Sequence, residues 1–261
     1  MSEPFVLYEL SGNVARITLN RAAERNTISG EMLDQLSECL ILADEDPEVR
    51  VIVLSGEGDF FCAGLDLNGS GTAQDIESGT FGPTINLRNA PPCVLHSIDK
   101  PTICALGSAA GYGFDIAICC DIRVMSEQAK LSAAFVRRGI LPDSGGTWKL
   151  PRLLGWSKAS ELIFTGRTLN AEEALSYGLV SEVAQHDDLL ERALSVAHEI
   201  ASNAPLAVQG AKRMMRMGLD DQFNEHVHRI YLQLLPLFET ADFQEGIAAF
   251  RDKRPAKFVG R

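Results

Sequence analysis

Asp115 and Asp143 each stand beside a glycine-rich turn, where a carboxylate can reach a bound ligand and move protons. Asp115 follows Gly107-Ser108-Ala109-Ala110-Gly111-Tyr112-Gly113-Phe114. That stretch leaves an apolar run and opens a helix, so unpaired N–H groups at the helix start can hold an anion or a developing oxyanion. The dinucleotide spacing GxGxxG is absent, and so is a Walker lysine. Asp143 sits in Ile140-Leu141-Pro142-Asp143-Ser144-Gly145-Gly146-Thr147, a turn just ahead of a helix. In Phe60-Phe61-Cys62-Ala63-Gly64-Leu65-Asp66-Leu67, Gly64 lets the backbone turn so that the Leu65 amide faces outward. Plainer roles compete with each of these. Asp115 can be a carboxylate stabilised by the helix dipole, Asp143 a turn or capping residue, and the small residues mere close packing. The five histidines (His96, His186, His198, His226, His228) lack metal-ligand spacing, and no Ser-His-Asp arrangement is visible.

The elements that must position these residues follow from the apolar pattern. Phe5–Leu10 and Val14–Leu19 around Ser11-Gly12-Asn13 read as a hairpin. Ser29 caps a helix with apolar positions at Met32, Leu33, Leu36, Leu40 and Ala43. Val51–Leu54 suits a strand buried on both faces. Thr102–Leu106 and Ile122–Met125 are further strands, with a helix from about Gly113 to Cys120 between them. After Trp148 the pattern turns helical: 159–165, 171–177, 189–201, 206–217, 223–235 and 243–253. Strands and helices thus alternate over roughly the first 145 residues, which favours α/β with a helical appendage.

With 261 residues, 46% hydrophobic and 23% charged, the chain can build a core without staples. Its net charge of −11 argues against nucleic acid as a partner. Residues 1–130 carry 8 basic and 19 acidic side chains, and residues 131–261 carry 16 of each, so all of that charge lies in the first half. Any anionic ligand must be met by backbone amides and a few placed cations. The six cysteines form no CxxC pair and read as free thiols of a reducing compartment. Met1-Ser2-Glu3-Pro4 has no secretory pattern, and the longest uncharged stretch, Pro101–Phe114, has 14 residues. A soluble, cytoplasmic chain that avoids membranes is expected.

Five ordered blocks, FFCAGLDL, KPTICALGSAAGYGFDIAICCD, GILPDSGGTWKLPRLLG, TGRTLNAEEALSYGLVSEV and DFQEGIAAFRDKRPAKFVGR, together resemble the crotonase (enoyl-CoA hydratase/isomerase) superfamily. The resemblance spans essentially the whole chain. It implies an α/β fold, a spiral of ββα turns over residues 1–200 carrying an acyl-CoA site, and a C-terminal helical trimerisation region over 201–261. It implies a homotrimer or a dimer of trimers, with a coenzyme A thioester as substrate and no separate cofactor. The family's oxyanion hole falls on the backbone N–H groups of Leu65 and Tyr112. Coenzyme A contacts fall on Arg25, Ala63 and Lys257, although solvated surface charge is a competing reading for Arg25 and Lys257. Lys257 could serve a neighbouring subunit.

The two glutamates of a hydratase correspond here to Asp115 and Phe135, and a phenyl ring cannot deprotonate water. Asp143, 28 residues after Asp115, lies in a PDSGGTW run similar to dienoyl-CoA isomerases and to the phenylacetate-type epoxide isomerases, in which an aspartate shuttles protons. Asp143 is therefore the expected catalytic base, with Asp115 as a second acid/base or orienting group. Phe114 and Phe135 are expected as acyl-pocket walls that exclude water and raise the carboxylate's proton affinity. An enoyl-CoA isomerase is the favoured reading. A hydratase or C–C bond hydrolase on the same scaffold, and a non-catalytic acyl-CoA-binding homologue, are the alternatives.

Overall fold

The computed structural model describes residues 4–66 and 90–261. Met1–Glu3 and Leu67 of the FFCAGLDL block lie outside the described residues. Strands β1 (Val6–Ser11) and β2 (Val14–Leu19) form the expected hairpin, with Gly12 at φ 60° in its turn. Helix α1 (Gly30–Glu45) begins where Ser29 accepts the Met32 N–H at 3.3 Å.

One motif then repeats three times: a longer strand followed at once by a short one. The pairs are β3 (Val51–Gly56) with β4 (Phe60–Cys62), β5 (Thr102–Leu106) with β6 (Ser108–Ala110), and β7 (Ile122–Ser126) with β8 (Lys130–Ser132). Longer strands enter a six-stranded sheet of order β1-β2-β3-β5-β7-β10, closed by β10 (Glu182–Ala184) and parallel from β2 onward. Short strands build a second sheet of order β4-β6-β8-β9, with β9 (Thr168–Asn170) antiparallel at its edge. This is the ββα spiral implied by the sequence. Two segments differ from their sequence reading: the Gly107–Gly111 turn contains β6, and Phe60–Cys62 is β4. Three residues are too few for alternation to be visible.

Burial on both faces explains the unbroken apolar strands. Ile52 and Leu54 pack with Met32, Leu36 and Leu40 of α1, while Val51 and Val53 face the opposite layer. There Ala193, Ala197 and Ala201 form one stripe of a helix, Leu189–Ala201, laid across the large sheet. Their four-residue spacing and small size let that helix approach closely.

The remaining helices follow in chain order. They are α2 (Pro91–Ser97), α3 (Tyr112–Cys119), α4 (Gly146–Leu154), α5 (Trp156–Thr165), α6 (Ala171–Tyr177), α7 (Leu189–Ala201), α8 (Pro205–Met217), α9 (Phe223–Leu234) and α10 (Ala241–Asp252). The sequence-derived division between residues 200 and 201 falls at the last residue of α7. Beyond it α8 is tied back to the spiral. Arg213 and Arg216 grip Asp99 at 2.5 and 2.8 Å, and Lys212 meets Asp121 at 2.7 Å. Among the described residues no helix is long and apolar enough to cross a membrane.

Candidate active site

Glycines set the geometry of the first part of the site. Gly111 precedes α3 at φ 53° and ψ −125°, a backbone that strongly favours glycine. A Cβ on Gly113 would lie 2.3 Å from the Cys62 carbonyl oxygen, so α3 rests directly on β4. At Gly64, φ is 104° and a Cβ would stand 3.0 Å from the Ala110 oxygen and 3.6 Å from the Tyr112 nitrogen. The turn after β4 and the first residue of α3 therefore meet backbone to backbone.

Leu65 is pinned from both sides, because Ile28 donates to the Gly64 carbonyl at 2.8 Å and Asp66 donates to the Ile28 carbonyl at 2.9 Å. The Leu65 N–H and the Tyr112 N–H have no acceptor among the described residues. Two unpaired donors in adjoining turns are what an oxyanion hole requires.

Around the second part of the site, Asp143 is exposed on the loop before α4 and accepts the Ser144 hydroxyl at 3.0 Å. It lines a cavity of about 390 Å³ with Pro92, Cys93, His96, Cys119 and Trp148. Asp143 is the one carboxylate among the described residues of that lining. His96 meets Trp148 edge-on, with ring centroids 5.3 Å apart. Burial, and then the nearby Asp143 carboxylate, push the Tyr112 phenol up. Burial pushes the Cys119 thiol up to about 12, which leaves it a wall and not a nucleophile.

Asp115 occupies a different place. It is 0% exposed, beneath the loop, and its Oδ2 accepts the Ser144 N–H at 3.1 Å. A Cβ on Gly146 would come within 2.5 Å of its Oδ1, so glycine is needed there for the loop to close over it. Burial pushes the Asp115 carboxyl up to about 7; the Ser144 and Gly146 amides pull it down, and the Asp143 charge adds to the rise. Desolvation has overcome the helix-dipole stabilisation expected for a first-turn carboxylate.

The stability consequence has a definite sign. Folded Asp115 holds its proton more tightly than unfolded Asp115, so its contribution is complete below about pH 3.9 and is lost as pH rises through about 7. Asp115→Asn keeps an acceptor for Ser144 and removes the titration. Its melting temperature should gain several degrees on the wild type between pH 5 and pH 8, as thermal unfolding across that range will measure.

Phe114 and Phe135 lie in the main apolar cluster, 0% and 3% exposed, and not on the lining of the Asp143 cavity. The aromatic wall there is Trp148 with His96. Neither was expected from the sequence, since α2 and α4 bring them together across about fifty residues of chain. Arg25 adopts φ 53°, its carbonyl accepts the Ala63 N–H at 3.0 Å, and its guanidinium covers the Phe60 ring at 5.2 Å. Arg25 and Ala63 thus adjoin the Leu65 turn. Lys257 stands apart in the C-terminal tail, its N–H bound to Glu245 at 2.7 Å. Among the described residues no group of three or more His, Cys, Asp or Glu side chains converges as metal ligands do.

A spiral of ββα turns, two unpaired N–H donors in adjoining turns and a carboxylate-bearing cavity define the class of protein. The family model for enoyl-CoA hydratase/isomerase matches residues 9–261, and the chain belongs to that family of acyl-CoA enzymes. It is 36% identical to (E)-benzylidenesuccinyl-CoA hydratase of Thauera aromatica over 98% of this chain and 99% of that one. It is 34% identical to 1,2-epoxyphenylacetyl-CoA isomerase of Escherichia coli, again over 98% and 99% of the two chains. A crystal structure of an enoyl-CoA hydratase from Bacillus anthracis superposes with a TM-score of 0.90 at 32% identity, covering 98% of this chain and 100% of that one.

Proposed function

We propose that the chain is an enoyl-CoA isomerase that moves a double bond from the β,γ to the α,β position. The thioester oxygen accepts the Leu65 and Tyr112 N–H groups, and Asp143 takes the proton from the carbon next to the thioester. The electron pair shifts into a dienolate whose negative oxygen those two amides stabilise, each by about 2.7–4 kcal/mol of barrier. Asp143 then returns the proton two carbons along. One carboxyl group suffices for both transfers.

The observation carrying this reading is the single carboxylate among the described residues of the cavity lining. Asp143 is there, Asp115 is sealed below the loop, and by the family resemblance Phe135 stands where a hydratase carries its second acid. Adding water would call for a second group to orient it. Hydration remains the second reading, supported by the hydratase name of the Thauera aromatica relative.

Asp115 acts as a positioning residue that holds the Ser144 amide and so fixes the Asp143 loop. Arg25 and Ala63 meet the coenzyme A end of the ligand. Lys257 reaches that end from a neighbouring subunit. Helix α9 buries none of its residues within the single chain, and its Tyr231 and Leu232 are exposed. That apolar surface supports assembly of residues 201–261 into a trimer or a dimer of trimers.

Parallel incubation with 3-hexenoyl-CoA and with crotonyl-CoA, followed by chromatography of the products, tests the reaction. Conversion of 3-hexenoyl-CoA to the 2-enoyl isomer, with crotonyl-CoA unchanged, is the expected outcome. Hydration of crotonyl-CoA without any isomerisation would overturn the reading.

A further inference from the structure

His96 and Lys149 belong to two cavities at once. One is the space of about 390 Å³ beside Asp143; the other is a larger space, of about 550 Å³, between α8 and the spiral. The larger chamber is mostly apolar, with Leu95, Ile122, Val208 and Met215 on its walls. Its cations differ in how they are satisfied. Arg216 is paired with Asp99 at 2.8 Å, and Lys212 with Asp121 at 2.7 Å. Lys149 is half-buried and has no acidic partner among the described residues; its ammonium lies 5.8 Å from the Trp148 ring centroid. His96 adds no second positive charge, because burial and then the cations Lys149, Arg216 and Lys212 hold its imidazole below the usual range. The wall shared by the two spaces therefore carries one positive charge with no acidic partner among the described residues.

We propose that the far end of the acyl group lies along this shared wall, and that Lys149 selects enoyl-CoA thioesters bearing a second, distal carboxylate. The inference rests on the acyl-CoA reading of the Leu65–Tyr112 turns but not on the direction of the reaction. Methylenes or a ring lie against Trp148 and the apolar walls, and the terminal carboxylate meets the ammonium. A neutral chain of equal length would cover Lys149 without pairing it, so the site discriminates against uncharged tails as well as attracting charged ones. A single ammonium balances a single carboxylate. A phosphate dianion would leave excess negative charge next to Asp143, which makes it the poorer match. Coenzyme A's own phosphates belong to the opposite end, where Arg25 adjoins Ala63.

Adipyl-CoA and hexanoyl-CoA have equal carbon counts, and both are saturated, so neither reacts. Titration calorimetry with the full chain should give adipyl-CoA at least tenfold tighter binding, with a preference that shrinks as salt is added. In Lys149→Met the preference should fall to within about threefold, and Lys149→Arg should restore it; each ratio is internal to one protein and is insensitive to partial loss of folded material. Equal affinity of the wild type for the two thioesters would overturn the assignment while leaving the acyl-CoA reading intact. So would a preference that survives in Lys149→Met. Failure of both thioesters to bind would overturn the acyl-CoA reading and the assignment together.

Discussion

Asp143→Asn should lower isomerisation of a β,γ-enoyl-CoA by about a thousandfold, with a range of 10²–10⁴ expected for removing a general acid–base group. The substitution is nearly isosteric, and the amide oxygen can still accept the Ser144 hydroxyl that now bonds Asp143 at 3.0 Å. What disappears is the ability to take and return a proton. Because Asp143 is exposed and its one side-chain hydrogen bond is kept, thermal stability should change by no more than about 0.5 kcal/mol. Steady-state kinetics paired with a melting curve checks both halves. Turnover within a factor of about three of wild type would remove Asp143 from the mechanism.

Tyr112→Pro should cost a further large factor, and its comparison with Tyr112→Ala isolates the backbone donor. Tyr112 is the first residue of α3, where proline is tolerated because that N–H makes no bond inside the helix. Gly111, at φ 53° and ψ −125°, has the mirror image of an extended conformation that accommodates a following proline. Both variants lose the phenol, and only the proline loses the N–H. The expected kcat ratio between them is about 10²–10³, the usual consequence of deleting one oxyanion donor. Equal rates for the two variants would show that the Tyr112 amide does not contact the thioester.

Much of the fold could be read from the chain because its signals are local. The hairpin, the Ser29 cap and the unbroken apolar strands depend on near neighbours, and the observed α1 and β3 match their patterns. The second sheet was not legible, since β4, β6, β8 and β9 have three residues each and exist only because turns of the spiral stack. Position in the chain pointed to Leu65, Tyr112, Asp115 and Asp143 as site candidates. Their environments depended on distant contacts. Asp115 reads as a dipole-stabilised carboxylate until the loop over 144–146 seals it from water. Trp148 and His96 form the cavity wall through an encounter between α2 and α4 that no window of sequence contains.

The backbone contact between α3 and β4 bears on how such a chain changes over evolutionary time. Gly113 sits against Cys62, and Gly64 against Ala110, so the two unpaired amides are fixed by close backbone approach together with the Cys62 thiol, which bonds Gly64. Side chains at 115, 135 and 143 take no part in that fixation. On the proposed reading, a lineage can exchange acids, bases and hydrophobes around these two amides without rebuilding the turns that present them. A new reaction lies only a few substitutions away, and drift among chemistries becomes easy as long as the glycines stay.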